Sequence, residues 1–297
     1  MKYNKDNPLR VFEAFAGYSS QSLALQRLKQ DYPEFDFVRV GWAEFDPQSK
    51  KPIDEQPAVI ANRALFPDGS RNYGDITCIM WQDVPDFDLF TTSFPCTDVS
   101  NAGRQAGLEK GSGTRSSMIW ECERAIEIKR PKYILLENVK ALLSKKFKPY
   151  YNKWVEILEG YGYKTFTEIL NAKDFGVAQN RERVFGVSIL RTEDEPEPIY
   201  HFPKPFPLTS CLADVLDEDV DEKYFLSDEM LARFCVKSVE QDDPTPTSKM
   251  PFGINGCKNT KLDVCGNCKF DLSAEQCARL YALMDKHGKT PLGAKYP

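Results

Sequence analysis

The chain has 297 residues, enough for one large domain, or one domain and a smaller appendage, around a substantial core. Hydrophobic residues make up 41% and charged residues 28%, and no apolar run reaches the roughly 20 residues that cross a bilayer. A net charge of −5 excludes any argument for a nucleic-acid partner from bulk charge, so such a partner needs a local basic surface.

The amino-terminal MKYNKDNPLRVF has no apolar signal region, so a cytoplasmic location with no membrane partner is expected. Leu9–Phe15 reads as a strand ending in the small-residue turn AGYSS, and Ser20–Leu28 continues with helical spacing of Leu23, Leu25 and Leu28. Phe37–Ala43 reads as a second strand and Asp54–Leu65 as a helix. Phe87–Thr92 is a third clear strand, followed by a polar, glycine-rich stretch to Gly113. Arg115–Lys129 looks helical, Tyr133–Leu136 is a buried strand, and Tyr150–Gly160 is a further helix. Lys164–Leu170 and Arg183–Leu190 form a strand pair with no helix between them.

Strands alternating with helices predict an α/β fold, a mostly parallel sheet covered on both faces, with an antiparallel hairpin at one edge. Such sheets bind ligands beyond the carboxyl ends of their strands. After residue 190 the acids Glu193, Asp194, Glu195 and Glu197 and the prolines Pro203, Pro205 and Pro207 mark a linker. Leu212–Val220 and Ser227–Phe234 read as short helices. The division expected is 1–190, 191–245 as acidic and proline-rich linker, and 246–297 as a small region rich in lysine and cysteine.

The chemistry-bearing residues fall at the strand ends. Phe15, Ala16, Gly17 and Ser20 belong to a tight turn where a ligand can approach N–H groups at a helix N-terminus, although an ordinary strand-to-helix turn looks the same. Glu44 closes strand two, where a carboxylate can accept ribose hydroxyls. Asp75, in YGDIT, stands at the expected end of a strand region and can accept from an adenine amino group. Three such sites in order imply an adenosine-containing ligand, without separating NAD from S-adenosylmethionine.

FPCTDVS separates them. It follows strand FDLFTT directly, so Cys96 projects from the carboxyl edge, with Pro95 restraining the backbone before it. A free cysteine is more often a small buried hydrophobe, but the polar surroundings favour a nucleophile here. Glu137 and Asn138 end the strand YILLENV, and a glutamate there needs a partner. Arg181 and Arg183, in QNRERV, read as a phosphate clamp or as a solvated hairpin tip.

FAGYSS, GDIT, FPCTDVS, LLENV and QNRERV occur in the order of the DNA cytosine-5 methyltransferase motifs, which the first 190 residues resemble. CLADVLDEDVDEKYFLS is also similar to the stretch these enzymes place before target recognition. The resemblance implies a Rossmann-like S-adenosylmethionine-dependent methyltransferase sheet, plus a small irregular C-terminal region. It implies S-adenosylmethionine as co-substrate, held by the residues above together with Phe45, Ile76, Pro95 and Met118, and double-stranded DNA as partner. Cys96 then supplies a thiolate that adds to carbon 6 of a flipped cytosine. Glu137 binds the ring nitrogen and exocyclic amine, Arg183 the carbonyl oxygen, and Arg181 supports Cys96 or a phosphate. Ser100–Gly113 becomes a loop closing over the base, and Lys140, Lys145, Lys146 and Lys148 a phosphate track. Restriction-modification, phage protection and regulation all use this chemistry.

Two departures stand out. Tyr18 and two serines follow FAG where the family usually has further glycines. No equivalent of the family's closing Gly-Asn motif follows residue 236; Cys265-Gly266-Asn267-Cys268 holds the dipeptide without apolar surroundings. The chain is then truncated, completed by a second polypeptide, or minimal in its recognition region, and otherwise monomeric. A tRNA methyltransferase and a non-catalytic or split-enzyme subunit are the alternatives. The nine cysteines are an odd number in a reducing compartment, so disulfides are not expected. Cys257, Cys265, Cys268 and Cys277 contain one CxxC with two outliers, short of the two tight pairs usual for zinc, so no metal is assigned.

Overall fold

The computed structural model describes residues 2–96, 108–217, 219–227 and 230. These fall into two compact units. The first runs to Asn171 and includes Arg181–Lys204; the second comprises Ala172–Asn180 and the described residues from Pro205.

Six strands in the first unit form one sheet: β1 Leu9–Ala14, β2 Phe37–Ala43, β3 Leu89–Thr92, β4 Tyr133–Val139, β5 Tyr163–Asn171 and β6 Glu182–Leu190. Their order is β2-β1-β3-β4-β6-β5. β1 pairs in parallel with β2 and β3, and β3 with β4. β6 runs antiparallel to both β4 and β5, so the expected hairpin does lie at one edge, with β6 on its inner side. A doubly wound sheet of this kind has its switch point between β1 and β3, where crossovers depart to opposite faces.

The helices are α1 Ser20–Asp31, α2 Pro57–Leu65, α3 Ile119–Lys129 and α4 Lys148–Gly160. α2 begins on a proline, which loses nothing where the N–H has no intrahelical acceptor. α3 buries Ile119, Cys122 and Ile126, and α4 buries Tyr151, Trp154 and Leu158, spacings that put one apolar stripe on the sheet. β1 is buried at five of its six positions because neighbours flank it on both sides. Phe12 from β1 centres an aromatic cluster, with ring centroids 5.1 Å from Trp81 and 5.4 Å from Phe87.

In the second unit, a 3-10 turn at Ala172–Phe175 places Phe175 edge-on to Phe206, at 6.0 Å between centroids. The Phe206 N–H donates to the Asp174 carbonyl at 3.0 Å.

Two expectations are corrected. No strand ends at Asp75 among the described residues; an isolated bridge, Trp42 to Asn72, marks the place. The segment GSRNYGD is polar and carries left-handed glycines at Gly69 and Gly74, so no pleated run can form. Leu212–Val220 gives only a 3-10 turn at Leu212–Val215. The acids from Asp217 onward would stand at the carboxyl end of a longer helix, against its dipole. Most of Ser227–Phe234, residues 100–107 of the expected closing loop, and Cys257, Cys265, Cys268 and Cys277 lie outside the described residues.

Candidate active site

A cleft of about 270 Å³ opens at the carboxyl edge of the sheet, beside the switch point. Of the ten residues expected to hold a cofactor, Phe15, Phe45, Asp75, Ile76, Pro95 and Met118 line it. Ala43, Pro47, Gly74, Thr77, Gly113 and Arg115 complete the wall. Reading residue types one motif at a time missed these six, since each is unremarkable in its own segment.

The FAGYSS turn is tightly wound. Phe15, Gly17 and Ser19 all have left-handed φ, at 55°, 55° and 64°. This is costly for phenylalanine and serine, and it persists only where the surroundings enforce it. The Gly17 N–H donates to Glu44 Oε2 at 2.7 Å, so the turn and the end of β2 are tied together. Burial raises the Glu44 carboxyl above its ordinary value, and the Gly17 and Phe45 N–H groups pull it part of the way back. Ala16 is buried against Trp42 and Val59 beneath the turn. Ser20 is exposed, its hydroxyl bonded to Gln21 at 3.2 Å, and it does not line the cleft.

Below the turn lies a group of buried polar side chains that motif reading did not find. Glu13 on β1 and Arg39 on β2 are each 1% exposed at the side chain and lie 3.5 Å apart. Glu13 accepts from the Ser22 hydroxyl at 2.6 Å and the Ser22 N–H at 3.2 Å. Arg39 donates to Asn62 Oδ1 at 2.8 Å and to the Ser19 hydroxyl at 3.2 Å, and pairs with Asp68 at 3.4 Å. Asn62 Nδ2 donates to the Ser19 hydroxyl at 2.7 Å and to the Gly17 carbonyl at 3.1 Å. The available signal was a charge in the middle of each of two buried strands, since a buried charge needs a partner.

Pro95 is shared between the cleft and the turn carrying Cys96. Two side chains hold that turn by its carbonyls. Ser116 Oγ donates to Pro95 O at 2.7 Å, and Asn138 Nδ2 donates to Phe94 O at 2.9 Å. Cys96 is half-buried, unlike Cys122 on α3, whose thiol is fully buried and pushed up to about 12. β3 and β4 are adjacent and parallel, with Thr92 opposite Leu136, so Cys96 and Glu137 emerge at neighbouring strand ends.

Glu137 has the partner that its position required: Arg183 Nε lies 3.2 Å from Oε1, each side chain 23% exposed. Because β6 is antiparallel to β4, Arg183 stands opposite Val139, diagonal to Glu137 on the same face. Arg181 is exposed and held by its N–H, which donates to Asn171 Oδ1 at 2.9 Å. Lys140 pairs with Glu182 at 2.9 Å.

Residues 9–259 match the family model described as C-5 cytosine-specific DNA methylase. The type II methyltransferase M2.ScrFI of Lactococcus lactis subsp. cremoris is 38% identical over 267 residues, covering 75% of this chain and 72% of that protein. The orphan methyltransferase M.SssI of Spiroplasma monobiae is 34% identical over 271 residues, covering 75% and 69%. Among solved structures, a Spodoptera frugiperda DNMT2 variant aligns with a TM-score of 0.56 at 19% identity, covering 76% of this chain and 65% of that one. The Entamoeba histolytica methyltransferase EhMeth gives 0.53 at 20% identity, with coverages of 76% and 65%. These two show a shared fold. On the match across most of its length and on these two of its relatives, the chain belongs to the C-5 cytosine-specific DNA methylase family.

Proposed function

We propose that this chain transfers a methyl group from S-adenosylmethionine to carbon 5 of a flipped-out cytosine in double-stranded DNA, through a covalent bond to Cys96. One observation carries the reading. A cleft lined by Phe15, Phe45, Asp75, Ile76 and Met118 shares Pro95 with the Cys96 turn, while the Glu137–Arg183 pair stands at the next strand end.

The residues present fit the co-substrate. Phe15, Phe45, Ile76 and Met118 offer apolar contact for a purine, with Asp75 also lining the cleft, its Oδ1 accepting from the Thr77 N–H, and Glu44 between two lining residues, bonded to the turn. S-adenosylmethionine, when bound, would supply an electrophilic methyl on a sulfonium, which leaves as the neutral thioether when its bond to the methyl breaks. Carbon 5 of cytosine is too weak a nucleophile to take that methyl unaided. The Cys96 thiolate adds to carbon 6 and turns the ring enamine-like, which makes carbon 5 nucleophilic. Glu137 hydrogen-bonds the ring nitrogen and the exocyclic amine, and Arg183 the carbonyl oxygen, so charge developing on the ring meets fixed partners. After transfer, the carbon 5 proton leaves to base, the ring double bond reforms and the thiolate departs. A stacked base cannot reach Cys96, so the cytosine must leave the duplex.

Incubating the chain with labelled S-adenosylmethionine and either duplex DNA or tRNA tests this. Label is expected in DNA cytosine, and it disappears in Cys96→Ala. Duplex carrying 5-fluorocytosine should trap a covalent adduct with the parent chain alone. Label in tRNA alone, or transfer surviving Cys96→Ala, would overturn the proposal.

A further inference from the structure

Ser19 is the most constrained residue of the cleft turn. It is fully buried, in a left-handed conformation with φ of 64° that a glycine takes freely and a serine does not. Its hydroxyl accepts two hydrogen bonds, from Asn62 at 2.7 Å and from Arg39 at 3.2 Å. Neither donor can drift. Asn62 is itself fixed by Arg39 and by the Gly17 carbonyl, and Arg39 is fixed between Glu13 and Asp68, its guanidinium 4.4 Å from the Phe66 ring centre. The chain therefore places a buried group of mutually bonded side chains under a turn whose own sequence lacks the glycine its backbone calls for.

We infer that Ser19, clamped by Asn62 and Arg39, is a positioning residue that holds the FAGYSS turn in the shape the methyl donor needs. The inference rests on the proposed role of the cleft. The strain at φ of 64° is met by the two hydrogen bonds to the hydroxyl. Without them, any residue bearing a Cβ relaxes out of the left-handed well. Gly17, two residues earlier and bonded to Glu44, then moves with it. The clamp acts on cofactor affinity and leaves the chemistry at Cys96 alone, because among the described residues its hydrogen bonds and ion pairs run to the FAGYSS turn, β1, β2, α2 and Asp68 and not to Phe94–Cys96.

Three variants of the full chain test this by calorimetric titration with S-adenosylmethionine, by steady-state kinetics and by thermal melting. Ser19→Ala loses the hydroxyl and keeps the Cβ, and is expected to weaken binding about tenfold, a change of roughly 1.4 kcal/mol. The loss should fall on KM for the cofactor and leave kcat unchanged. Ser19→Gly accepts the backbone conformation without help and is expected to recover affinity to within about threefold of the parent. Asn62→Ala should resemble Ser19→Ala. Affinity within twofold of the parent in Ser19→Ala, whatever its melting temperature, overturns the inference, as does a Ser19→Gly chain no tighter than Ser19→Ala. A parent chain that does not bind S-adenosylmethionine overturns the reading of the cleft beneath it.

Discussion

Glu44 joins two demands that pull in opposite directions. Burial raises its carboxyl above the ordinary 4.5, with the Gly17 and Phe45 N–H groups opposing. A folded-state value above the unfolded one adds stability only at low pH, and that contribution is lost as pH rises through the folded value. At neutral pH the Glu44 carboxylate therefore costs stability. Glu44→Gln is expected to melt at the same or a higher temperature at pH 7 while binding S-adenosylmethionine roughly tenfold more weakly, since hydrogen bonds to charged groups carry about 1.5–3 kcal/mol. In the parent, affinity should fall on acidification from above the usual glutamate range, and calorimetry across pH should show that fall flattened in Glu44→Gln. Glu44, Cys96 and Glu137 were legible because each ends an apolar run, so the edge of the sheet is marked in the sequence itself. Arg39 was not. An arginine within FVRVGWA reads as the solvent-facing member of an alternating strand, and its partners are 20 to 29 residues away along the chain.

The elements were legible where burial is strongest. β1, β3 and β4 were read to within a few residues because strands with neighbours on both sides become continuous apolar runs, and β2, at the sheet edge, was read at its observed bounds. What sequence could not show is how tightly two elements approach. Gly41 on β2 lies opposite Phe12, and a Cβ there would meet the Tyr73 ring at 2.6 Å and the Phe12 ring at 3.0 Å. Both rings pack into the aromatic cluster, their centroids 5.6 Å apart, so neither can swing aside cheaply. Gly41→Ala is expected to destabilise the protein by about 1–3 kcal/mol, read by urea denaturation as a lower midpoint at unchanged slope. The connection before Asp75 was misread for a reason at the same scale. Its place beside β2 suggests a strand, but its glycines and polar residues leave only the Trp42–Asn72 bridge.

At the scale of the molecule, a net charge of −5 has to coexist with the proposed polyanionic substrate. Three cations near the carboxyl edge are already engaged: Arg115 lies 3.7 Å from Asp46, Arg183 lies 3.2 Å from Glu137, and Lys140 lies 2.9 Å from Glu182. A phosphate reaching Lys140 must displace a carboxylate. Glu182→Gln is expected to tighten duplex binding by about threefold, and Lys140→Ala to loosen it by a similar factor, as exposed pairs carry about 0.2–1 kcal/mol. Fluorescence anisotropy at fixed salt measures both.

β6 also sets an order of events during synthesis. It supplies the antiparallel neighbour of β4 and the cation facing Glu137, yet it ends roughly 50 residues after β4 does. At about 5–20 residues per second, the ribosome takes several seconds to cover that distance. For that interval YILLENV is an apolar strand with one bare edge, the kind that pairs with whatever strand arrives first. The last strand of the sheet to be made is therefore the one that closes this edge, and a ribosome stalled before it would hold a nascent chain prone to aggregate.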